Sequence, residues 1–187
     1  MNASLSEQTL QVETLFQGKV LTLERHRVRL PNGKTSQREV VKHPGAVALL
    51  ALVGPEELLL VRQYRQAVGA ALWEIPAGTL EAGEQPAACA RRELAEETGY
   101  RAASLEEWAR FYTAPGFCDE HMTLFLARGL TQDETGAQKD EDEFLELGAF
   151  SRSEVEGMVA GGEVRDAKTL LALALWRPHT TTARGER

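Results

Sequence analysis

The sequence predicts an α/β protein, an α/β/α sandwich on a mixed sheet preceded by a small N-terminal antiparallel β-sheet. Three observations lead there. Residues 12–41 alternate apolar and polar side chains around Asn32–Gly33, and Asn-Gly between alternating runs is a strong short hairpin signal. Residues 45–53 are almost wholly apolar, as in a central strand covered on both faces. Further along, runs of strand character are interleaved with segments of helical period, which calls for helices packed on a sheet.

In order, residues 1–8 are polar and expected to be loose. Lys19–Arg25 and Val28–Leu30 read as strands, residues 31–34 as a turn, and Arg38–Lys42 as a further strand. After the strand over 45–53, residues 54–57 turn the chain and Leu58–Gln63 returns as a second buried strand. Trp73–Pro76 is a short extended piece. Residues 85–98 form a helix whose buried stripe is expected to be Ala87, Ala90 and Leu94. Strands follow over 105–112, 122–127 and 143–150. Ser151 is placed to cap a helix with Glu154 as its capping-box partner, and residues 166–176 form a last helix ended by Pro178. The expected organisation is an N-terminal sheet segment (1–43), a main domain (44–178) and a disordered tail (179–187).

Composition narrows the function classes. The 187 residues are enough to bury a core. The net charge of −7 argues against nucleic acid or an acidic membrane as the main partner. An anionic substrate would then be drawn in by local cations or a metal. The N-terminus lacks a basic segment followed by an apolar one, and the longest apolar run is too short to span a bilayer. The expectation is a soluble, cytoplasmic protein whose two cysteines, Cys89 and Cys118, are reduced thiols.

The chemistry concentrates in residues 78–100. Gly78, Glu84, Arg92, Glu93, Glu96, Glu97 and Gly99 are set around Leu94 and Tyr100. Glu93 and Glu97, four apart, stack on one helix face. Two carboxylates there repel unless a cation lies between them, and a cluster of hard oxygens suits Mg²⁺ or Mn²⁺. Arg92 is placed to pair with Glu96 or Glu84 and so to fix the acids. Gly78 is expected in a tight loop where the backbone needs a glycine's freedom. The cation would neutralise a diphosphate and activate a water. With the helix carboxylates engaged, the base must come from elsewhere.

This spacing, G-x5-E-x7-R-E-U-x-E-E-x-G-U with U an apolar residue, resembles the signature of the Nudix hydrolases, which cleave a nucleoside diphosphate linked to another group. All seven fixed letters are present; by chance they would coincide at roughly 10⁻⁸ to 10⁻⁹ per starting position. Residues 61–65, 73–78 and 114–117, with Pro115 sixteen past Gly99, resemble the ADP-ribose pyrophosphatase branch. The resemblance implies a sandwich of the Nudix type and divalent-metal-dependent hydrolysis of ADP-ribose to AMP and ribose 5-phosphate. It places metal on Glu93, Glu96, Glu97 and the backbone carbonyl of Ala77. Arg65 is expected to contact phosphate, since its planar fork suits phosphate oxygens; Glu74 and Glu81 could accept from ribose hydroxyls. Residues Ala114, Pro115 and Gly116 are expected to wall the terminal ribose through their backbone, because the family often has Ser where this chain has Ala114. In this branch the acidic run at 140–143 supplies a base, here Glu141, and a further ligand, Glu143; Glu120 is the alternative for either. No histidine is given a part. The N-terminal sheet resembles one exchanged between two subunits, so a homodimer is expected in which residues 12–42 reach the neighbour's adenine pocket. Rival functions are hydrolysis of another nucleotide sugar, such as ADP-glucose or GDP-mannose, and a non-catalytic sensor of ADP-ribose or NAD-like ligands. The intact acidic cluster disfavours the sensor.

Overall fold

The computed structural model describes residues 5–133 and 144–176. Strands β1 (Gln8–Gln17), β2 (Thr22–Arg29) and β3 (Thr35–Lys42) form an antiparallel sheet in that order. The turn around Asn32–Gly33 closes between Arg29 and Thr35. Gly33 adopts φ +82° there, a left-handed conformation that glycine enters without a steric penalty. The two runs expected over 19–25 and 28–30 are one strand, because His26 and Arg27 continue the pairing without a break opposite Arg38 and Gln37.

The main domain has β4 (Ala46–Ala51), β5 (Glu57–Arg65), β6 (Ala70–Glu74), β7 (Ala77–Thr79), α1 (Pro86–Thr98), β8 (Tyr100–Tyr112), β9 (His121–Gln132), β10 (Glu146–Ser151), α2 (Arg152–Gly161) and α3 (Ala167–Leu175). Its strands divide between two sheets, β7-β4-β9-β8 and β10-β5-β6. The first is mixed: β4 runs parallel to β9 and antiparallel to β7. The strand expected from residue 105 starts at Tyr100, directly after the helix, and a bulge at Glu107/Ala109 keeps its long pairing with β9 in register.

Strand β4 is buried at every position, and its two faces meet different partners. Val47, Leu49 and Ala51 pack with Cys89, Ala90 and Leu94 of α1. Ala48 and Leu50 pack with Val155 of α2 and with Ala172 and Trp176 of the α3 region. Each fully buried leucine contributes about 2 kcal/mol of transfer free energy, so β4 is a firm central plank with helices on both sides. Within α1 the expected stripe is corrected at one position: Ala87 is exposed and Cys89 is buried in its stead. Both cysteines are free. The capping box of Ser151 and Glu154 starts α2 as expected, and Asp166 caps α3 by accepting from the Thr169 N–H. Among the described residues no helix is long and apolar enough to cross a membrane. Pro178, the tail over 179–187 and the acidic run over 140–143 lie outside the described residues.

Candidate active site

Helix α1 starts with Pro86 at its first turn, where a missing N–H removes no helical bond. It ends at Gly99, whose φ of +71° lets its N–H turn back to the Ala95 carbonyl. These two ends bound the helix, and the packing of Cys89, Ala90 and Leu94 against β4 turns Glu93 and Glu97 toward β7. Glu97 is only 3% exposed and accepts a hydrogen bond from the Ala77 N–H at 3.0 Å. Glu93 lies over Gly78: a Cβ added there would sit 1.8 Å from the Glu93 carboxyl carbon. Gly78 is therefore not the residue of a tight loop. It stands in β7 with a φ outside the left-handed region, and what requires glycine is the approach of a carboxylate to the bare backbone.

Arg92 ties three acids together. Its Nε and Nη2 donate to the two oxygens of Glu84 at 3.0 and 2.9 Å. Its Nη1 donates to Glu93 at 2.8 Å and to Glu96 at 2.9 Å. The guanidinium thus engages both of the alternatives expected, Glu84 and Glu96, and Glu93 as well. The Arg92 hydrogen bonds hold the Glu84 carboxyl down at about 2. Burial, then the charges of Glu84 and Glu93, push the Cys89 thiol up to about 12, so it stays protonated.

A cleft of about 480 Å³ opens beside this backbone, lined by Ala77, Gly78 and Thr79 and by Arg65, Glu74, Thr113, Glu120, Asp166 and Lys168. Arg65, at the end of β5, donates through Nε and Nη2 to both oxygens of Glu74 at 3.0 and 2.7 Å. Glu74 is 1% exposed, and Lys168 also donates to it. Both of its oxygens are engaged, so Glu74 is a buried anchor for two cations rather than an acceptor open to a ribose. Glu120 accepts from the Thr113 hydroxyl at 2.5 Å and stands 3.7 Å from His43 Nδ1. Ala114, Pro115 and Gly116 form the tip of the turn between β8 and β9, whose first and last residues, Thr113 and Glu120, line the cleft. Glu81 is exposed in the turn before α1, where its backbone N–H donates to Glu84. Glu141 and Glu143 lie outside the described residues.

Sequence reasoning gave no part in this cleft to His43, Thr113, Asp166 or Lys168, all of which line it. It also missed the tie between the N-terminal sheet and the cleft wall. The Val41 N–H donates to the Phe117 carbonyl at 2.7 Å and the Asp119 N–H to the Val41 carbonyl at 3.1 Å. The Asp119 carboxylate then accepts from the His43 N–H and from Lys42. The end of β3 thereby braces the turn that carries Glu120.

Carboxylates and backbone carbonyls are hard oxygen donors, so the groups at β7 and α1 fit a hard divalent cation in kind. Among the described residues, no three Glu, Asp, His or Cys side chains already converge as a ligand set; oxygens of Glu93 and Glu96 are turned to Arg92.

The family model of the NUDIX domain matches residues 42–173. This chain belongs to the Nudix family. Residues 7–41 match the nucleoside diphosphate sugar hydrolase N-terminal domain. Over 170 residues the chain is 47% identical to the ADP-ribose pyrophosphatase of Bacillus subtilis, covering 91% of this chain and 92% of that one. It is 42% identical over 173 residues to the methanol dehydrogenase activator of Bacillus methanolicus, covering 92% and 94%. A GDP-mannose pyrophosphatase of Cronobacter sakazakii is 36% identical over 152 residues, 72% of this chain and 78% of that protein. A crystal structure of an ADP compounds hydrolase superposes with a TM-score of 0.80 over 92% of this chain and 93% of that one, at 24% identity. That likeness establishes the Nudix fold.

Proposed function

We propose that this Nudix protein hydrolyses the pyrophosphate of ADP-ribose to AMP and ribose 5-phosphate with the help of Mg²⁺ or Mn²⁺. The observation that carries the reading is the 47% identity, over 91% of the chain, to a protein named ADP-ribose pyrophosphatase. Glu93, Glu96, Glu97 and the Ala77 carbonyl are the groups that would hold the cation, with Glu143 as a further donor. When bound, the cation neutralises the diphosphate and acidifies a water.

The side chains divide the remaining work. Arg65 binds phosphate oxygens with the edge of its fork that Glu74 leaves over, and Glu74 keeps the guanidinium in plane. Arg92 holds the helix carboxylates in position. The backbone of Ala114, Pro115 and Gly116, with Glu81, contacts ribose. As a water oxygen bonds to phosphorus and the bridging P–O bond breaks, one carboxylate takes the water's proton. Glu141 is assigned that part, with Glu120 as the alternative because it lines the cleft. Losing a general base slows a reaction by about 10²- to 10⁴-fold. Steady-state rates should therefore fall in that range for Glu141→Gln and little for Glu120→Gln; the reverse pattern would move the base to Glu120.

The quaternary structure belongs to the same reading. Leu10, Val12, Leu15 and Phe16 of β1 are between 37% and 58% exposed, a row of apolar side chains that a second copy would cover. A homodimer follows in which residues 12–42 serve the neighbour's adenine pocket. Light scattering should give twice the chain mass, and a monomer would rule the arrangement out.

The relative named GDP-mannose pyrophosphatase supports a second reading, in which another nucleotide sugar is preferred. Incubation with Mg²⁺ and a panel of ADP-ribose, ADP-glucose and GDP-mannose, with products separated by ion exchange, decides between them. AMP appearing fastest from ADP-ribose supports the first reading; faster release of a mononucleotide from another sugar supports the second.

A further inference from the structure

Among the described residues, Glu74 and Asp166 bring two carboxylates together deep in the cleft, on elements far apart in sequence. Glu74 ends β6; Asp166 is the residue that caps α3. Lys168, on the first turn of α3, joins them. Its ammonium donates to Glu74 and, at 3.0 Å, to Asp166 Oδ1, and its side chain is only 11% exposed. The other oxygen of Asp166, Oδ2, is buried and has no hydrogen-bond partner among the described residues. Arg65 completes the group from the open side, its side chain 40% exposed, within the electrostatic field of Glu74, Glu97 and Asp166.

The charges decide what Lys168 does. Glu74 and Asp166 are bridged by Lys168, Arg65 feels both of them and Glu97, and the more deeply buried of the two cations is Lys168. With Lys168 satisfying Asp166 and half of Glu74, Arg65 gives only its Nε and Nη2 edge to Glu74, and Nη1 keeps no hydrogen-bond partner among the described residues. Without Lys168, two acids in a poorly solvated corner would compete for one guanidinium. Arg65 would then be drawn inward, toward Asp166, and away from the cleft.

We propose that Lys168 is a positioning residue for substrate binding, which acts through the shared Glu74 carboxylate to keep the Arg65 fork presented to a diphosphate. This rests on the proposed pyrophosphatase activity and deepens it. The hydrogen bonds of Lys168 go to Glu74 and Asp166, neither of them a group proposed to hold the cation, so the chemical step should be spared while binding weakens.

The test is a double-mutant cycle of Lys168→Met and Arg65→Gln, with Lys168→Arg as the conservative variant. KM and kcat are measured on the nucleotide sugar that the wild type cleaves fastest, and folding by circular dichroism melts. Coupled groups in one network interact strongly enough that Lys168→Met should raise KM by about tenfold or more with kcat nearly unchanged. In the double variant KM should rise little beyond that of Arg65→Gln alone, because Lys168 acts through Arg65. Lys168→Arg should restore most of the wild-type KM. If the two effects on KM multiply, or if Lys168→Met lowers the melting temperature and leaves KM unchanged, the positioning role is overturned. If Lys168→Met misfolds, Lys168→Gln in the same cycle reads the same coupling. A wild type that cleaves a sugar other than ADP-ribose overturns the substrate reading and leaves this cycle decisive; a wild type that cleaves none of them is assayed by calorimetric titration with ADP-ribose, where the same non-additivity is expected in Kd.

Discussion

Glu97→Gln should fold as the wild type does and lose about 10³-fold in turnover, a loss of about 4 kcal/mol of transition-state stabilisation. The two halves of this expectation come from the two sides of one carboxylate. Its Oε2 accepts from the Ala77 N–H at 3.0 Å, and a glutamine carbonyl accepts that bond equally well, so the junction of α1 with β7 survives. The negative charge, which a divalent cation needs, does not survive. A melting temperature near that of the wild type, with AMP release measured under saturating Mg²⁺, separates the effects. Turnover within a few-fold of the wild type would remove Glu97 from the metal-holding groups.

Arg92→Ala should be the most destabilising change at the site. Arg92 donates to Glu84, Glu93 and Glu96, whose side chains are 14%, 13% and 39% exposed. Removing one member of a buried ion-pair network costs about 3 kcal/mol or more, and the partial exposure of Glu96 places this one at the lower end. Arg92→Lys should recover only part of the loss, since an ammonium cannot serve both oxygens of Glu84 and two further acids through a planar fork. The acid limb offers an independent check on metal-free protein. Glu84 falls from an ordinary value of 4.5 to about 2 in the folded state. A group depressed in this way stabilises the fold above its unfolded value, and that stability is lost as pH falls from about 4.5 toward 2. Urea unfolding between those limits should steepen with acid in the wild type and flatten in Arg92→Ala. Equal acid sensitivity of the two proteins would contradict the pairing.

What could be read in advance was whatever local chemistry determines. The helix carrying Glu93 and Glu97, the apolar β4 and the capping box of α2 follow from spacing within a few residues, and each stands where expected. What escaped depends on contacts across long stretches of chain. The need for glycine at Gly78 arises from Glu93, fifteen positions later, and no local rule distinguishes it from a turn glycine. Ala87 and Cys89 flank the Ala90–Leu94 stripe on opposite sides of the helical wheel; only the packing of α1 against β4 settles which flank is inside. Lys168 carries no signal because its partner Glu74 lies 94 residues away, and a lysine in the first turn of a helix usually meets solvent. His43 reaches the cleft only because the end of β3 is fastened to the turn before β9. The division of the strands into two sheets is likewise a matter of pairing, which apolar runs such as β4 and β5 do not specify by themselves.

The central claim is metal-dependent hydrolysis of ADP-ribose, and the most direct measurement of it is phosphorus NMR of that compound incubated with the purified protein. With Mg²⁺ or Mn²⁺ the diphosphate signals should give way to two monoester signals, AMP and ribose 5-phosphate, in equal amounts. Excess chelator should stop the conversion and added cation restore it. Diphosphate signals that persist while the protein binds ADP-ribose tightly would contradict the claim and identify a sensor built on a hydrolase fold.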